Sequence, residues 1–266
     1  MTTVQQVTSH HWRVPAEPFT VTTDDGVRLE GTRLGEPGPD LPAVVLAHGL
    51  IGWHRKPRFA VFAEHLTPWF AVYAFDARGH GESDGVSDFG GAEIYDVDAV
   101  VDLARRGGHE HIVTSGASMG GIAVIRHAAL IGPPDLVVAI SSLASWDWHA
   151  GAHPTARRNF QARVNTVPGR AALRAWGVRL PEAWDEPEAP EDVIGKIAPT
   201  PVVIVHGAND MLFEVDHAHR LYAAAGDPKH LMIGDRFGHA EDGLSPGFAR
   251  RLSRVIHHEA GIPWPE

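Results

Sequence analysis

The sequence predicts an α/β protein with an eight-stranded, mostly parallel sheet that is covered by helices on both faces. Two observations predict it: eight short apolar runs of strand type, and amphipathic helical patterns that alternate with the later runs. Strands that alternate with helices pair in parallel, and a parallel sheet is buried on both faces. A chain of 266 residues is long enough for one such core with an insertion.

The first two strands are predicted to form a hairpin. They span residues 19–23 and 27–34, and Asp24-Asp25-Gly26 joins them, with glycine supplying the positive φ of a tight turn. The other six strands are expected at residues 43–47, 71–75, 112–115, 136–140, 202–205 and 231–233. Helices are expected at residues 59–66, 94–104, 122–131, 217–225 and 248–259.

Residues 143–199 interrupt the alternation of strands and helices. This stretch has no clean strand and is rich in proline and charge, and it holds four of the eight tryptophans: Trp146, Trp148, Trp176 and Trp184. We therefore predict a core made of residues 1–142 and 200–266, with a small helical insertion over the sheet. Trp53, Trp146 and Trp148 are candidate substrate-binding residues. Large aromatic side chains of this kind either line an apolar pocket or only pack the insertion, and the sequence favours neither.

Composition excludes several classes of protein. Without cysteine, the chain can form no disulfide and has no thiolate nucleophile. A formal net charge of -10 would repel a nucleic acid backbone. The N-terminus lacks the basic and apolar regions of a signal peptide, and no apolar run approaches the length of about 18 residues that a membrane helix needs. We expect a cytoplasmic protein with no nucleic acid or membrane partner.

The pattern G-x-S-x-G occurs twice, around Ser83 and around Ser118. Ser118 follows an apolar strand and precedes an apolar helix, which is the strand-turn-helix context of an exposed nucleophile. Ser83 lies in a polar loop without either flank, so we interpret it as a structural turn residue. Ser118 is therefore the candidate nucleophile.

A serine hydroxyl needs a positioned base, and the base needs an orienting carboxylate. Asp210 follows the strand predicted at 202–205, and His239 follows the next apolar run. Asp147, after the sixth strand, is a rival acid. A loop at the carboxyl end of the Asp210 strand would face Ser118, and Asp147 is more simply a solvated residue of the insertion.

Several histidine pairs resemble metal-ligand spacings, among them His109-x-His111, His217-x-His219 and His257-His258. Neither an H-E-x-x-H motif nor cysteine accompanies them, so we interpret them as solvated surface residues. We expect no metal and no cofactor.

Taken together, the motifs resemble those of serine hydrolases of the α/β-hydrolase fold. The matching features are Ala47-His48-Gly49-Leu50, the turn at residues 76–81, the Ser118 motif, the segment 206–210 and Gly238-His239. The resemblance implies that residues 143–199 form a cap over the pocket. It also implies an oxyanion hole made by the backbone N–H groups of Leu50 and Met119.

The resemblance also implies a function. We expect a hydrolase that cleaves a small-molecule carboxylic ester through an acyl-enzyme, with Ser118, His239 and Asp210 as its triad. Thioester, amide or carbon-carbon bond cleavage would use the same residues. A catalytically silent ligand-binding protein is the alternative from another class, and the intact Ser118, His239 and Asp210 argue against it.

Overall fold

The sheet has the predicted eight strands and the predicted order of strand and helix. The structure is a computed structural model that describes residues 4–147 and 152–265. The strands are β1 Ala16–Thr22, β2 Arg28–Leu34, β3 Ala43–Ala47, β4 Ala71–Phe75, β5 Ile112–Ala117, β6 Leu136–Ile140, β7 Val202–Gly207 and β8 Lys229–Gly234. The helices are α1 Val4–Thr8, α2 Pro57–Leu66, α3 Glu93–Arg106, α4 Met119–Leu130, α5 Pro154–Asn165, α6 Val167–Ala175, α7 Pro190–Val193, α8 Asp216–Ala224 and α9 Pro246–Glu259.

The strand order is β1-β2-β4-β3-β5-β6-β7-β8. Strand β1 pairs antiparallel with β2, and β2 pairs antiparallel with β4, whereas the other neighbours are parallel. The predicted hairpin is confirmed, since Gly26 has φ +86° and Thr23 N–H donates to the Val27 carbonyl at 2.9 Å. The chain thus has an open, twisted α/β sheet whose parallel strands end at one common edge.

Alternating side chains of the central strands build two apolar layers. Val45 packs on the face that α3, α4 and α8 cover, while its neighbours Val44 and Leu46 pack on the face of α2 and α9. All three side chains are buried. Because both faces are covered, the central strands are continuously apolar, which is why short apolar runs predicted them correctly.

The chain between β6 and β7 contains helices that the periodicity analysis did not locate individually. Helix α5 begins with proline after His153, and α6 begins after Thr166, whose hydroxyl accepts the Gly169 N–H at 3.1 Å. The division of the chain into a core and a cap at residues 143–199 stays a prediction. Within the described ranges, no helix is both long and apolar enough to cross a membrane.

Candidate active site

Ser118 occupies a strained turn between β5 and α4. Its φ is +55°, in the left-handed region that a residue with a side chain rarely adopts. The flanking glycines make this turn possible: a Cβ at Gly116 would lie 2.0 Å from the Gly120 carbonyl oxygen, and one at Gly120 would lie 2.3 Å from the Ala47 carbonyl oxygen. The turn leaves Ser118 half-buried at the carboxyl edge of the sheet.

Two loops at the same edge bring His239 and Asp210 to this serine. The His239 Nε2 atom lies 2.9 Å from the Ser118 hydroxyl oxygen, and its Nδ1 atom lies 2.7 Å from Asp210 Oδ2. The predicted trio, which is spread over 121 residues of sequence, therefore forms one continuous chain of hydrogen bonds. In the tautomer with the proton on Nδ1, His239 donates to the carboxylate and accepts from the serine hydroxyl.

The Asp210 carboxylate is held from both sides. Its second oxygen, Oδ1, accepts the backbone N–H groups of Leu212 and Phe213, each at 2.9 Å. Burial by itself raises the pKa of Asp210, but hydrogen bonds from His239 and the Phe213 backbone outweigh burial and leave the pKa below its ordinary value. Asp210 is thus an ionised, fixed acceptor for the imidazole.

The segment that carries Leu50 passes directly beside the serine. A Cβ at Gly49 would lie 3.2 Å from the Ser118 Cβ atom, so the backbone approaches closely there. The Gly49 carbonyl accepts from His48 Nδ1 at 2.8 Å and from the Gly52 N–H at 2.8 Å. Since this carbonyl and the Leu50 N–H belong to one planar peptide unit, the two bonds orient the Leu50 N–H.

The His48 imidazole that holds this peptide is fully buried. Its Nε2 atom accepts the Ala77 N–H at 3.1 Å, so the ring is neutral with its proton on Nδ1. Burial, reinforced by the neighbouring His80, lowers the pKa of His48 from 6.5 to about 3. The Leu50 carbonyl lies 2.6 Å from His80 Nε2, which gives the loop a second anchor. The oxyanion role of Leu50 and Met119 stays a prediction.

Two cavities meet at Ser118. The first, which we call the Met119 chamber, has a volume of about 420 Å³ and is lined by Leu50, Phe89, Ser118, Met119, Ile122, Leu143, Trp146, Phe160, Gln161, Val164, Asn165, Arg170, Leu180, Pro181, Glu182, Trp184, Glu186, Leu212 and Phe213. The second, the His239 chamber, has a volume of about 600 Å³ and is lined by Gly49, Leu50, Ile51, Lys56, Ser118, His153, Thr155, Ala156, Asn159, Phe160, Arg163, Asn209, Met211, Leu212, His239, Ala240, Glu241 and Asp242. Both volumes fall in the range of small-molecule sites, about 300 to 1,000 Å³.

The candidate tryptophans have different positions. Trp146 lines the Met119 chamber and stacks edge-on against Trp184 with ring centroids 5.0 Å apart, so it both packs residues 143–199 and faces the cavity. Trp53 is part of neither chamber lining, and its substrate-binding role stays a prediction. Its side chain is buried, and its indole N–H donates to the Ser9 hydroxyl at 3.0 Å, on the N-terminal segment. Trp148 lies outside the described residues.

The two rival candidates have structural partners elsewhere. The Ser83 hydroxyl is buried, donates to the Asp76 carbonyl at 2.6 Å and accepts the Glu30 N–H at 2.9 Å, which fits the interpretation as a turn residue. Asp147 is exposed and accepts a hydrogen bond from Arg220 at 3.2 Å. Its carboxylate therefore pairs with a surface cation.

The interpretation of the histidine pairs as solvated surface residues is wrong for three of them. His109, His217 and His257 are buried, and each bonds a protein group: the Tyr73 hydroxyl, the Ala144 N–H and the Pro263 carbonyl respectively. Among the described residues, no group of three or more His, Asp or Glu side chains is arranged to hold a metal ion.

Sequence reasoning missed most of the Met119 chamber. Phe160 and Val164 are four residues apart on α5, so the i, i+4 apolar pair was the available signal. Phe89 and Phe213 carry no such signal, because they lie in loops. Phe213 packs edge-on against the His239 ring, with centroids 5.0 Å apart.

Comparison with known proteins supports the architecture. A family model described as the alpha/beta hydrolase fold matches residues 42–172. The chain is 25% identical over 230 residues to the uncharacterized protein YfhR of Escherichia coli strain K12, covering 82% of this chain and 71% of that protein. The corresponding protein of Salmonella typhi is 26% identical over 228 residues, covering 82% of this chain and 72% of the relative.

Solved esterase structures have the same fold. The Pyrococcus furiosus esterase Pf2001 superposes with a TM-score of 0.75 at 20% identity, covering 95% of this chain and 98% of that one. The esterase RhEst1 from Rhodococcus sp. ECU1013 superposes with a TM-score of 0.68 at 17% identity, covering 91% of this chain and 99% of that one. The chain is thus an α/β-hydrolase-fold protein. Within that fold, the structures that it is similar to include esterases.

Proposed function

We propose that this protein is a serine hydrolase that cleaves carboxylic esters through an acyl-enzyme intermediate. The observation that carries the proposal is the hydrogen-bonded series from Ser118 through His239 to Asp210, which opens into two ligand-sized cavities. A buried acid, a base and a hydroxyl in this order match the arrangement that activates serine in acyl transfer.

Each residue has a chemical role in the proposed reaction. His239 Nε2 removes the hydroxyl proton as the Ser118 oxygen attacks the ester carbonyl, and the Leu50 and Met119 N–H groups stabilise the oxyanion. The imidazolium then protonates the departing alkoxide, so the ester bond breaks and the acyl group stays on Ser118. Water, deprotonated by His239, releases the acid and regenerates the serine. Asp210 holds the imidazole tautomer and stabilises its positive charge in both halves.

The test is labelling with a fluorophosphonate probe, followed by hydrolysis of p-nitrophenyl esters. Folded protein that labels at Ser118, and a Ser118→Ala variant that neither labels nor hydrolyses, are the results expected. A folded protein that does not label would favour a ligand-binding role instead. Rates measured on an ester, a thioester and an amide that share one acyl group would then show which type of bond the protein cleaves fastest.

A further inference from the structure

The two chambers at Ser118 have different catalytic groups in their walls. Met119 lines only the first chamber and His239 only the second, whereas Ser118 and Leu50 line both. In the proposed reaction the leaving oxygen must reach His239 Nε2 to be protonated, so the alcohol part of the ester lies on the His239 side. The acyl part must then leave the carbonyl carbon in the other direction.

We propose, on the basis of the proposed function, that the Met119 chamber binds the acyl group, the His239 chamber binds the alcohol, and the preferred substrates are esters of aromatic or branched apolar acids. This assignment follows from which side of the serine each cavity occupies. The choice of acid follows from the surface that the Met119 chamber presents.

Aromatic rings form one wall of the Met119 chamber. Trp184 stands between Trp146 and Phe89, with ring centroids 5.0 and 4.9 Å away. Both indole N–H groups are already used, since Trp146 donates to the Pro187 carbonyl at 2.6 Å and Trp184 to the Asp88 carbonyl at 2.7 Å. The tryptophans therefore offer the cavity only their apolar ring surfaces, which favour flat or branched apolar groups.

The wall is also held rigidly in place. Phe89 has φ +64°, a strained conformation for an aromatic residue. The side-chain oxygens of buried Glu93 stabilise this loop by accepting the Ser87 hydroxyl at 2.6 Å and the Gly90 N–H at 2.8 Å. A fixed wall of this kind discriminates between acyl groups by shape.

Charged side chains line both chambers, and those at the edge of the His239 chamber form ion pairs. Lys56 and Glu241 form an ion pair at 2.9 Å there, and Asp242 pairs with Arg58. The chamber is also the larger of the two, about 600 against 420 Å³. A chamber of this volume has room for the alcohol part of the ester.

Helix α5 offers two test positions and one control position. Val164 lines the Met119 chamber, Ala156 lines the His239 chamber, and Ala162 is exposed on the same helix outside both linings. Val164→Trp should therefore narrow the Met119 chamber, and Ala156→Trp should narrow the His239 chamber. Ala162→Trp should narrow neither. Because Val164 is buried, Val164→Ala serves as a second variant that enlarges the Met119 chamber if the tryptophan variant fails to fold.

The substrates vary one half of the ester at a time. We expect Val164→Trp to lower kcat/KM for p-nitrophenyl benzoate relative to p-nitrophenyl acetate by about tenfold, and Val164→Ala to raise that ratio. We expect Ala156→Trp to leave the benzoate-to-acetate ratio unchanged. The same variant should lower kcat/KM for 4-methylumbelliferyl acetate relative to p-nitrophenyl acetate. Ala162→Trp is expected to preserve both ratios.

Burst kinetics give an independent measurement. The alcohol has departed before deacylation, so Ala156→Trp should slow acylation alone, whereas Val164→Trp should change both acylation and deacylation of the benzoyl-enzyme. The chamber assignment would be overturned if Ala156→Trp changed the acyl ratio and Val164→Trp the alcohol ratio, or if both variants changed both ratios equally. Labelling of Ser118 would still support the proposed hydrolase activity in that case. Absence of labelling and of any burst would overturn the proposed function, and the chamber assignment with it.

Discussion

The His239 ring and the Asp210 carboxylate meet at 2.7 Å between Nδ1 and Oδ2, although 29 residues of sequence separate them. The carboxylate is completely buried, and the imidazole is about a quarter exposed. The Asp210 carboxylate is thus shielded from water, while the His239 imidazole borders the His239 chamber.

Ser118→Ala should lower kcat for ester hydrolysis by about 10⁴- to 10⁶-fold, because the nucleophile is removed while the rest of the site remains. Turnover of p-nitrophenyl acetate measures the effect, and circular dichroism with urea unfolding verifies the fold. Turnover at the parental rate in a folded variant would contradict the role of Ser118.

Asp210→Asn should lower kcat by about 10⁴-fold, since an amide in place of Oδ2 favours the wrong imidazole tautomer. The matched control is Asp147→Asn at the exposed rival acid, which pairs with Arg220 and should retain parental turnover. Steady-state kinetics of both variants measure the difference. If Asp147→Asn proved the more damaging of the two, the acid of the triad would have to be reassigned.

Ser83→Ala should destabilise the protein without loss of turnover. The Ser83 hydroxyl accepts the Glu30 N–H and donates to the Asp76 carbonyl, so its removal leaves buried backbone groups unpaired at a cost of about 1 to 3 kcal/mol. The midpoint of urea unfolding measures the cost, and ester turnover below that midpoint provides the comparison with Ser118→Ala. A stable but inactive variant would contradict the structural role.

His48→Gln should change how stability depends on pH. Burial lowers the pKa of His48 to about 3, so between pH 6.5 and 3 the unfolded chain binds a proton that the folded protein does not. The stabilisation from neutral His48 is therefore complete above pH 6.5 and is lost as pH falls, at about 1.4 kcal/mol per pH unit. The glutamine variant has no such proton.

The measurement for His48 is the free energy of unfolding of both proteins at pH 7.5, 6.0 and 5.0. The advantage of the parent protein over His48→Gln should shrink steadily below pH 6.5. An advantage that stays constant over this range would show that His48 is not held neutral by the fold.

Much of the fold was predictable from local pattern. Buried parallel strands are short apolar runs, and amphipathic helices between them repeat every three to four residues, so both signals lie within a few neighbours in sequence. Ser118 was identified in the same way, because strand, tight glycine turn and helix are consecutive. The chambers were less accessible to sequence analysis. Phe89 and Phe213 come from loops that meet only when the sheet has formed.

Sequence alone predicted the order of strands and helices, the glycine turn at Ser118, and a serine as the candidate nucleophile in a chain without cysteine. Two findings came from the three-dimensional structure alone: His239 contacts Asp210 rather than Asp147, and the lining of the Met119 chamber includes Trp146 but not Trp53. The difference arises because local patterns set backbone conformation, whereas these contacts depend on how distant loops converge at one edge of the sheet.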